Sequence, residues 1–104
     1  MNIMELLAER RNFYIKHPQL SPRHLELLEQ IGLYESRGAP LTVTEAMGMG
    51  VGSPATAHRL MDELEFTGLI HKVHHKDDIR TKYLLLDAKG WKYFKRLQRL
   101  MEAA

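Results

Sequence analysis

The sequence of 104 residues has no cysteine and no long apolar run. The absence of cysteine excludes disulfide frameworks and thiolate metal sites, and it fits a reducing compartment. No apolar stretch approaches the roughly 18 residues of a membrane-spanning helix, and Glu5 and Glu9 stand where a secretory signal would be apolar. We therefore expect residues 1–104 to form a single cytoplasmic domain that does not enter a membrane.

Positive charge is scarce in the first two thirds of the chain. Residues 1–70 hold 6 Lys/Arg and 9 Asp/Glu, which gives a net charge of −3. Residues 71–104 hold 9 Lys/Arg and 4 Asp/Glu, which gives a net charge of +5. This asymmetry predicts one basic face with an anionic partner, although a basic surface without a partner would show the same excess.

Apolar spacing and cap residues predict five helices, one short strand and one hairpin. The predicted elements are a helix from Glu5 to Lys16, a helix opened by Ser21-Pro22 and closed near Gly38, a strand at Leu41–Val43, a helix from Thr44, a helix from Ser53 to Gly68, strands at Leu69–His75 and Lys82–Leu86, and a helix after Asp87. The order helix, helix, strand, helix, helix, hairpin, helix predicts a mainly α (α+β) winged helix-turn-helix.

The glycine-rich stretch MGMGVGSPAT, Met47 to Thr56, admits two interpretations. Gly50 to Ala55 matches the phosphate-binding pattern G-x-G-x-x-A, but that pattern should follow a buried strand, and here it follows a predicted short helix. Proline at position 54 also removes an N–H donor. A tight turn between two helices, with Gly50 or Gly52 at positive φ, fits better, and Gly48 exceeds what such a turn requires.

Four short motifs resemble the MarR-type regulators, a family named for multiple antibiotic resistance. They are T-x-x-R-L-x-D-x-L at Thr56–Leu64, GLI at Gly68–Ile70, D-x-R at Asp78–Arg80 and L-x-x-K-G at Leu86–Gly90. Their order and spacing are similar to the family over about half of the chain, from Leu41 to Gly90.

The resemblance implies a sequence-specific regulator of transcription that binds double-stranded DNA, with repression as its expected effect. It implies a recognition helix at 53–67 in the major groove and a wing at 76–82 on the DNA backbone or in the minor groove. No cofactor is implied, and a small-molecule effector is not identified. The chain departs from the family at Asp87, where threonine is common, and in its short terminal helices, 1–17 and 88–104.

Exposed residues at the start of the recognition helix and charged residues of the wing are the candidate DNA contacts. They are Ser53, Pro54, Thr56, His58 and Arg59 on the helix, and Lys76, Asp78, Arg80 and Lys82 on the wing. Arg59 is suited to guanine or phosphate, and the resemblance assigns Arg80 to DNA with Asp78 orienting it. For Ser53 the alternative is helix capping, and for Arg80 it is an exposed ion pair. The acidic Asp62, Glu63 and Glu65 would repel phosphate, so we expect them to lie away from the groove.

Metal binding and catalysis find little support in the sequence. In a strand, His71 and His75 face one side and His74 the other, so three convergent ligands are not expected. No serine, histidine and acidic residue form a recognisable catalytic set, and we expect neither a metal site nor an enzyme.

Both terminal helices carry an apolar stripe that must be buried, either against the rest of the domain or against a partner. The stripes consist of Ile3, Leu7 and Tyr14 in the first helix, and of Trp91, Phe94, Leu97 and Met101 in the last. Because one small core covers only part of both, we expect a homodimer through these helices, with a monomer as the alternative. The alternative function is a winged-helix module that binds another protein instead of DNA.

Overall fold

The structure is a computed structural model that describes residues 2–102, which form five helices and one antiparallel hairpin. The helices are α1 (Ile3–Lys16), α2 (Pro22–Ser36), α3 (Val43–Met47), α4 (Pro54–Phe66) and α5 (Ala88–Glu102), and the strands are β1 (Ile70–His74) and β2 (Lys82–Leu86). This order confirms the predicted winged helix-turn-helix. Among the described residues, no helix is both long enough and apolar enough to cross a membrane.

A side-chain cap and a proline explain where the first two helices begin. Asn2 accepts a hydrogen bond from the backbone N–H of Met4 at 2.9 Å, so α1 begins two residues before the predicted start at Glu5. The second helix begins at Pro22, as predicted, because proline is preset for the first helical position.

The start of α3 corrects the sequence-based expectation. Thr42 is the cap, not Thr44: its hydroxyl accepts the Glu45 N–H at 3.1 Å, and the Glu45 carboxylate accepts the Thr42 N–H at 2.9 Å. This reciprocal capping box makes Val43 the first helical residue. The strand predicted at Leu41–Val43 is therefore reduced to one bridge between Thr42 and Tyr83.

The glycine-rich stretch is the turn between α3 and α4. Gly50 has φ +79° and Gly52 has φ +138°, so both occupy backbone conformations that other residues rarely adopt. Gly48 has an ordinary φ of −86° at the end of α3. Val51, between the two left-handed glycines, is buried and anchors the turn to the core. The helix-turn-helix interpretation of this stretch is confirmed.

The core lies where α2 and α4 pack together beneath the hairpin. Its largest fully buried side chains come from these helices, from the hairpin and from the residue before it: Leu27, Leu28, Ile31, Leu60, Met61, Leu64, Leu69, Ile70 and Leu84. In the hairpin, Ile70 pairs with Leu86 and His74 pairs with Lys82. Gly90 lets α5 approach the hairpin, because a Cβ there would collide with the Leu69 carbonyl oxygen.

The terminal helices α1 and α5 pack against each other in opposite directions. The rings of Phe13 and Tyr93 lie 4.8 Å apart, and the Arg96 guanidinium donates to Glu9 at 2.8 Å. Since moving back along α1 corresponds to moving forward along α5, Ile3 and Met101 lie toward the same end of the pair. Both are exposed.

The predicted dimerisation residues divide into two groups. Ile3, Leu7 and Met101 are exposed, whereas Tyr14, Trp91 and Phe94 pack partly against the core of their own chain. Leu97 is half-buried. The buried anchor of α1 is Phe13, next to the predicted stripe, which the apolar spacing did not single out.

Candidate nucleic-acid interface

The exposed surface of α4 begins at its N-terminal turn. Ser53 accepts the Thr56 backbone N–H at 3.2 Å, and its hydroxyl also donates to the Thr56 hydroxyl at 3.1 Å. Pro54 occupies the first helical position, as predicted. Ser53 thus caps the helix and contacts the Thr56 hydroxyl, with Ser53 exposed and Thr56 half-buried at the end of α4 where a bound anion would be favoured.

His58 and Arg59 lie one turn further along α4, on its exposed side. The Arg59 guanidinium donates from Nη1 to Glu63 Oε1 at 2.7 Å, four residues along the helix. An exposed pair of this kind contributes only about 0.3–0.5 kcal/mol to stability. Its main effect is therefore on where the guanidinium points.

The tip of the wing is organised around Asp78. One carboxylate oxygen accepts the Arg80 backbone N–H at 2.9 Å, and the other accepts the Thr81 hydroxyl at 3.1 Å. The Nε of Arg80 lies 3.8 Å from Asp78, and 93% of the Arg80 side chain is exposed. Asp78 therefore shapes the turn and leaves Arg80 directed into solvent.

Two histidines hold the rest of the wing turn. His74 Nδ1 lies 2.8 Å from the Ile79 carbonyl oxygen and donates to it, while His75 Nδ1 accepts the Asp77 N–H at 3.0 Å. His71 Nδ1 is buried without a hydrogen-bond partner, 3.9 Å from Asp87. Within residues 2–102, no three His, Asp or Glu side chains converge on a common point.

A cleft of about 530 Å³ separates the wing from the helix-turn-helix. It is lined by the start of α3, by His58 of α4, by Lys72 of β1, and by Arg80, Thr81 and Lys82 of the wing. The structure therefore brings His58, Arg80 and Lys82 to one cleft. Arg59 faces a neighbouring depression with His58, and Lys76 stays in the exposed turn.

The acidic residues of α4 are held by basic partners. Lys72 Nζ lies 2.8 Å from Asp62 and 3.5 Å from Glu65, and Arg59 holds Glu63. Burial disfavours the Lys72 ammonium, but its hydrogen bond to Asp62 and the charge of Glu65 outweigh that effect and raise the pKa of Lys72. Two positive charges thus offset two of the three negative charges expected to repel phosphate.

Sequence reasoning missed three residues of this region. They are Lys72, which pairs with Asp62 and Glu65 of α4, His24, which contacts Glu63, and Phe66, which is 91% exposed at the end of α4. Lys72 and His24 contact α4 from distant parts of the sequence, so no local sequence pattern indicates these contacts. A bulky apolar residue at the exposed end of a helix is visible in the sequence and could have identified Phe66.

Solved structures share this architecture along nearly the whole chain, although no family model and no curated sequence matches it. A complex of MepR from S. aureus with DNA is 17% identical, with a TM-score of 0.70 over 97% of this chain and 80% of that chain. FabT from Streptococcus pneumoniae in complex with DNA is 20% identical, with a TM-score of 0.64 over 97% of this chain and 75% of that chain. MarR is 17% identical, with a TM-score of 0.64 over 99% of this chain and 77% of that chain.

The chain has the winged-helix fold of the MarR-type regulators. In this winged helix, α3 and α4 form the helix-turn-helix, and the hairpin of β1 and β2 carries the wing, residues 76–82, at its tip. The resemblance found in the sequence over Leu41–Gly90 thus extends, as a fold, to the terminal helices.

Proposed function

We propose that this winged helix is a regulator of transcription that binds double-stranded DNA with sequence specificity. The main support for this function is the cleft that places His58 of α4 opposite Arg80 and Lys82 of the wing. A helix of 13 residues with an exposed N-terminal half fits a major groove, and an arginine projecting from a wing fits the backbone or the narrow minor groove.

Compensated charge on α4 supports the same proposal. Asp62 and Glu65 are held by Lys72, so the recognition helix does not present three uncompensated carboxylates to phosphate. The DNA complexes of MepR and FabT, which have the same fold, add further support. A repressing effect rests on the family resemblance alone, and the proposed cytoplasmic location rests on the sequence expectation alone.

The proposal is tested by titrating random and genomic duplexes at several salt concentrations. If phosphates are neutralised, the logarithm of the association constant falls linearly with the logarithm of salt concentration, with a slope of about −0.9 per phosphate contact. Selection of bound genomic fragments should then enrich one sequence. Undetectable binding even at low salt would exclude the DNA-binding function.

We also propose that the regulator is a two-fold homodimer through α1 and α5. The support is the exposed apolar end of the helix pair, which Ile3, Met4 and Met101 form together with Leu7. A symmetric dimer would read a pseudo-palindrome with half-sites about 10–10.5 base pairs apart, one turn of DNA.

A second candidate function is binding of another protein through α4. Phe66 favours it, because its exposed ring lies beside a depression of about 710 Å³, which Gln19 and Thr67 also line, and aromatic residues are enriched in protein interfaces. The salt titration distinguishes the two functions. Replacing Phe66 with serine should leave random-duplex affinity within about twofold if DNA is the partner, because random-duplex affinity comes from phosphate contacts.

A further inference from the structure

His24 is the polar residue that residues 2–102 bury in their core, with 2% of its surface exposed. It lies at the third position of α2, and its Nδ1 accepts the Ser21 backbone N–H at 2.8 Å. A ring nitrogen that accepts a hydrogen bond from N–H carries no proton, so the neutral imidazole bears its proton on Nε2.

The protonated Nε2 points from α2 toward the recognition helix. It lies 3.2 Å from Glu63 Oε1, and the same oxygen accepts the 2.7 Å hydrogen bond from Arg59 Nη1. Capping of α2 explains the Nδ1 contact with Ser21 but not this second contact. One carboxylate oxygen is thus held between a buried donor and an exposed one.

This arrangement restricts Arg59. An arginine on a helix surface otherwise samples many rotamers, and ordering it on binding costs free energy. Glu63 engages Nη1, which leaves the opposite edge of the guanidinium, Nε and Nη2, available as two parallel donors. Two such donors match O6 and N7 of guanine.

We propose that His24 is a positioning residue for DNA recognition, which sets the direction of Arg59 through Glu63. The inference rests on the proposed DNA-binding function and adds that base discrimination depends on His24. Discrimination for guanine at one position of the site depends on a buried histidine that does not touch DNA.

The experiment uses the duplex enriched by selection and a second duplex in which the G·C pair contacted by Arg59 is replaced. That pair is identified as the position at which Arg59→Ala removes discrimination. The readout is the ratio of the two affinities. Absence of any binding by the unaltered protein would count against the proposed function itself, whereas the ratio reports on His24.

Two variants interrupt the chain of contacts at different points. His24→Glu keeps an acceptor for Ser21 but replaces the Nε2 donor with a carboxylate that repels Glu63, and Glu63→Ala removes the link. Each should lower the ratio by about twofold or more, because an exposed i,i+4 ion pair such as Arg59–Glu63 contributes about that factor. Asp62→Ala is the matched control: it also removes one carboxylate from α4, so it should raise affinity for both duplexes and leave the ratio unchanged.

A double-mutant cycle separates positioning from a general structural effect. In the Arg59→Ala background, neither variant should change the ratio further, and thermal melting verifies that each variant is folded. An unchanged ratio in Glu63→Ala, or an effect of either variant that persists without Arg59, would overturn the proposal. If His24→Glu does not fold, the double-mutant cycle of Glu63→Ala with Arg59→Ala still tests the proposal.

Discussion

Lys72 on β1 donates a hydrogen bond of 2.8 Å to Asp62 on α4, which joins the hairpin to α4. Glu65 lies 3.5 Å from the same ammonium, so one lysine pairs with two carboxylates on the surface proposed to face DNA and offsets half of their charge. The side chain of Lys72 is 16% exposed, whereas that of Asp62 is 66% exposed. We expect this pair to matter more for the electrostatic potential of the surface than for stability.

Replacing Lys72 with methionine should therefore weaken binding to every duplex, because two carboxylates lose their counter-charge near phosphate. The free energy of unfolding should fall by about 1 kcal/mol or less, as expected for a partly exposed pair. Fluorescence anisotropy with random duplexes at low salt measures the affinity. The double variant Lys72→Met with Asp62→Asn should recover part of it, and no change in the single variant would contradict the compensation argument.

Arg80 and Asp78 should respond differently to alanine substitution. Arg80→Ala should leave the melting temperature nearly unchanged, because its side chain is almost fully exposed, and it should reduce the salt slope by about 1 if Arg80 meets a phosphate. Asp78→Ala should destabilise the wing turn, because the carboxylate accepts from both Arg80 and Thr81. A large loss of thermal stability in Arg80→Ala with unchanged DNA affinity would assign Arg80 a structural role instead.

The three glycines of the turn are not equivalent, and alanine substitutions should show it. Gly48 has negative φ and room for a Cβ, so Gly48→Ala should be neutral or stabilise by about 0.4–1 kcal/mol through the unfolded state. Gly52→Ala combines φ +138° with a Cβ placed 2.8 Å from the Thr56 side chain, so it should destabilise by more than about 1 kcal/mol. Urea denaturation measures both, and equal effects at the two positions would contradict the turn geometry.

His17 should contribute a pH dependence to stability. Burial, together with the positive charges of Lys89 and Lys16, lowers the pKa of His17 below its ordinary 6.5. The unfolded chain then binds this proton first as the pH falls, so stability declines from about pH 6.5 down through the lower folded pKa. Urea denaturation at pH 5.5 and 7.5 should show a smaller difference in His17→Gln than in the unaltered protein.

Lys89→Gln provides the second arm of that experiment. Removing a positive charge beside His17 should bring its folded pKa closer to 6.5 and reduce the acid-side loss without changing the histidine. If both variants keep the full pH difference, other groups are responsible for it.

Local signals explain which parts of the molecule the sequence predicts. Ser53-Pro54 and Gly68 mark the ends of α4 through contacts within a few residues, and the structure has the helix between them. The cap of α3 was missed although Thr42 and Glu45 have capping-box spacing, because Thr44, directly before the acidic Glu45, offered a competing cap signal.

Contacts across the fold are what local patterns do not show. His24 and Glu63 are 39 residues apart, and their contact depends on how α2 packs against α4. The apolar spacing of α1 marked a face through Ile3 and Leu7, but the buried anchor is Phe13, because the position of α5 decides which side of α1 is covered. The candidate residues on α4 and the wing follow from residue type, while their shared cleft follows from packing alone.

The dimer proposal gives a prediction that separates exposed from packed apolar residues. Leu7 and Met101 are exposed, so Leu7→Glu and Met101→Glu should produce folded monomers. Phe94 packs against Gly32 and the core, so Phe94→Glu should unfold the chain rather than only dissociate it. Sedimentation equilibrium at micromolar concentration should give the unaltered protein roughly twice the chain mass of 12.1 kDa.

DNA binding should follow the oligomeric state in the same variants. A monomer engages one half-site at a time, so Leu7→Glu should bind a single half-site as the unaltered protein does and lose its preference for a paired site. Lys95→Glu, on a polar side of α5, is the control for adding negative charge to the terminal helices. It should leave the sedimentation unchanged. A single species of 12 kDa for the unaltered protein across the whole concentration range would exclude the dimer.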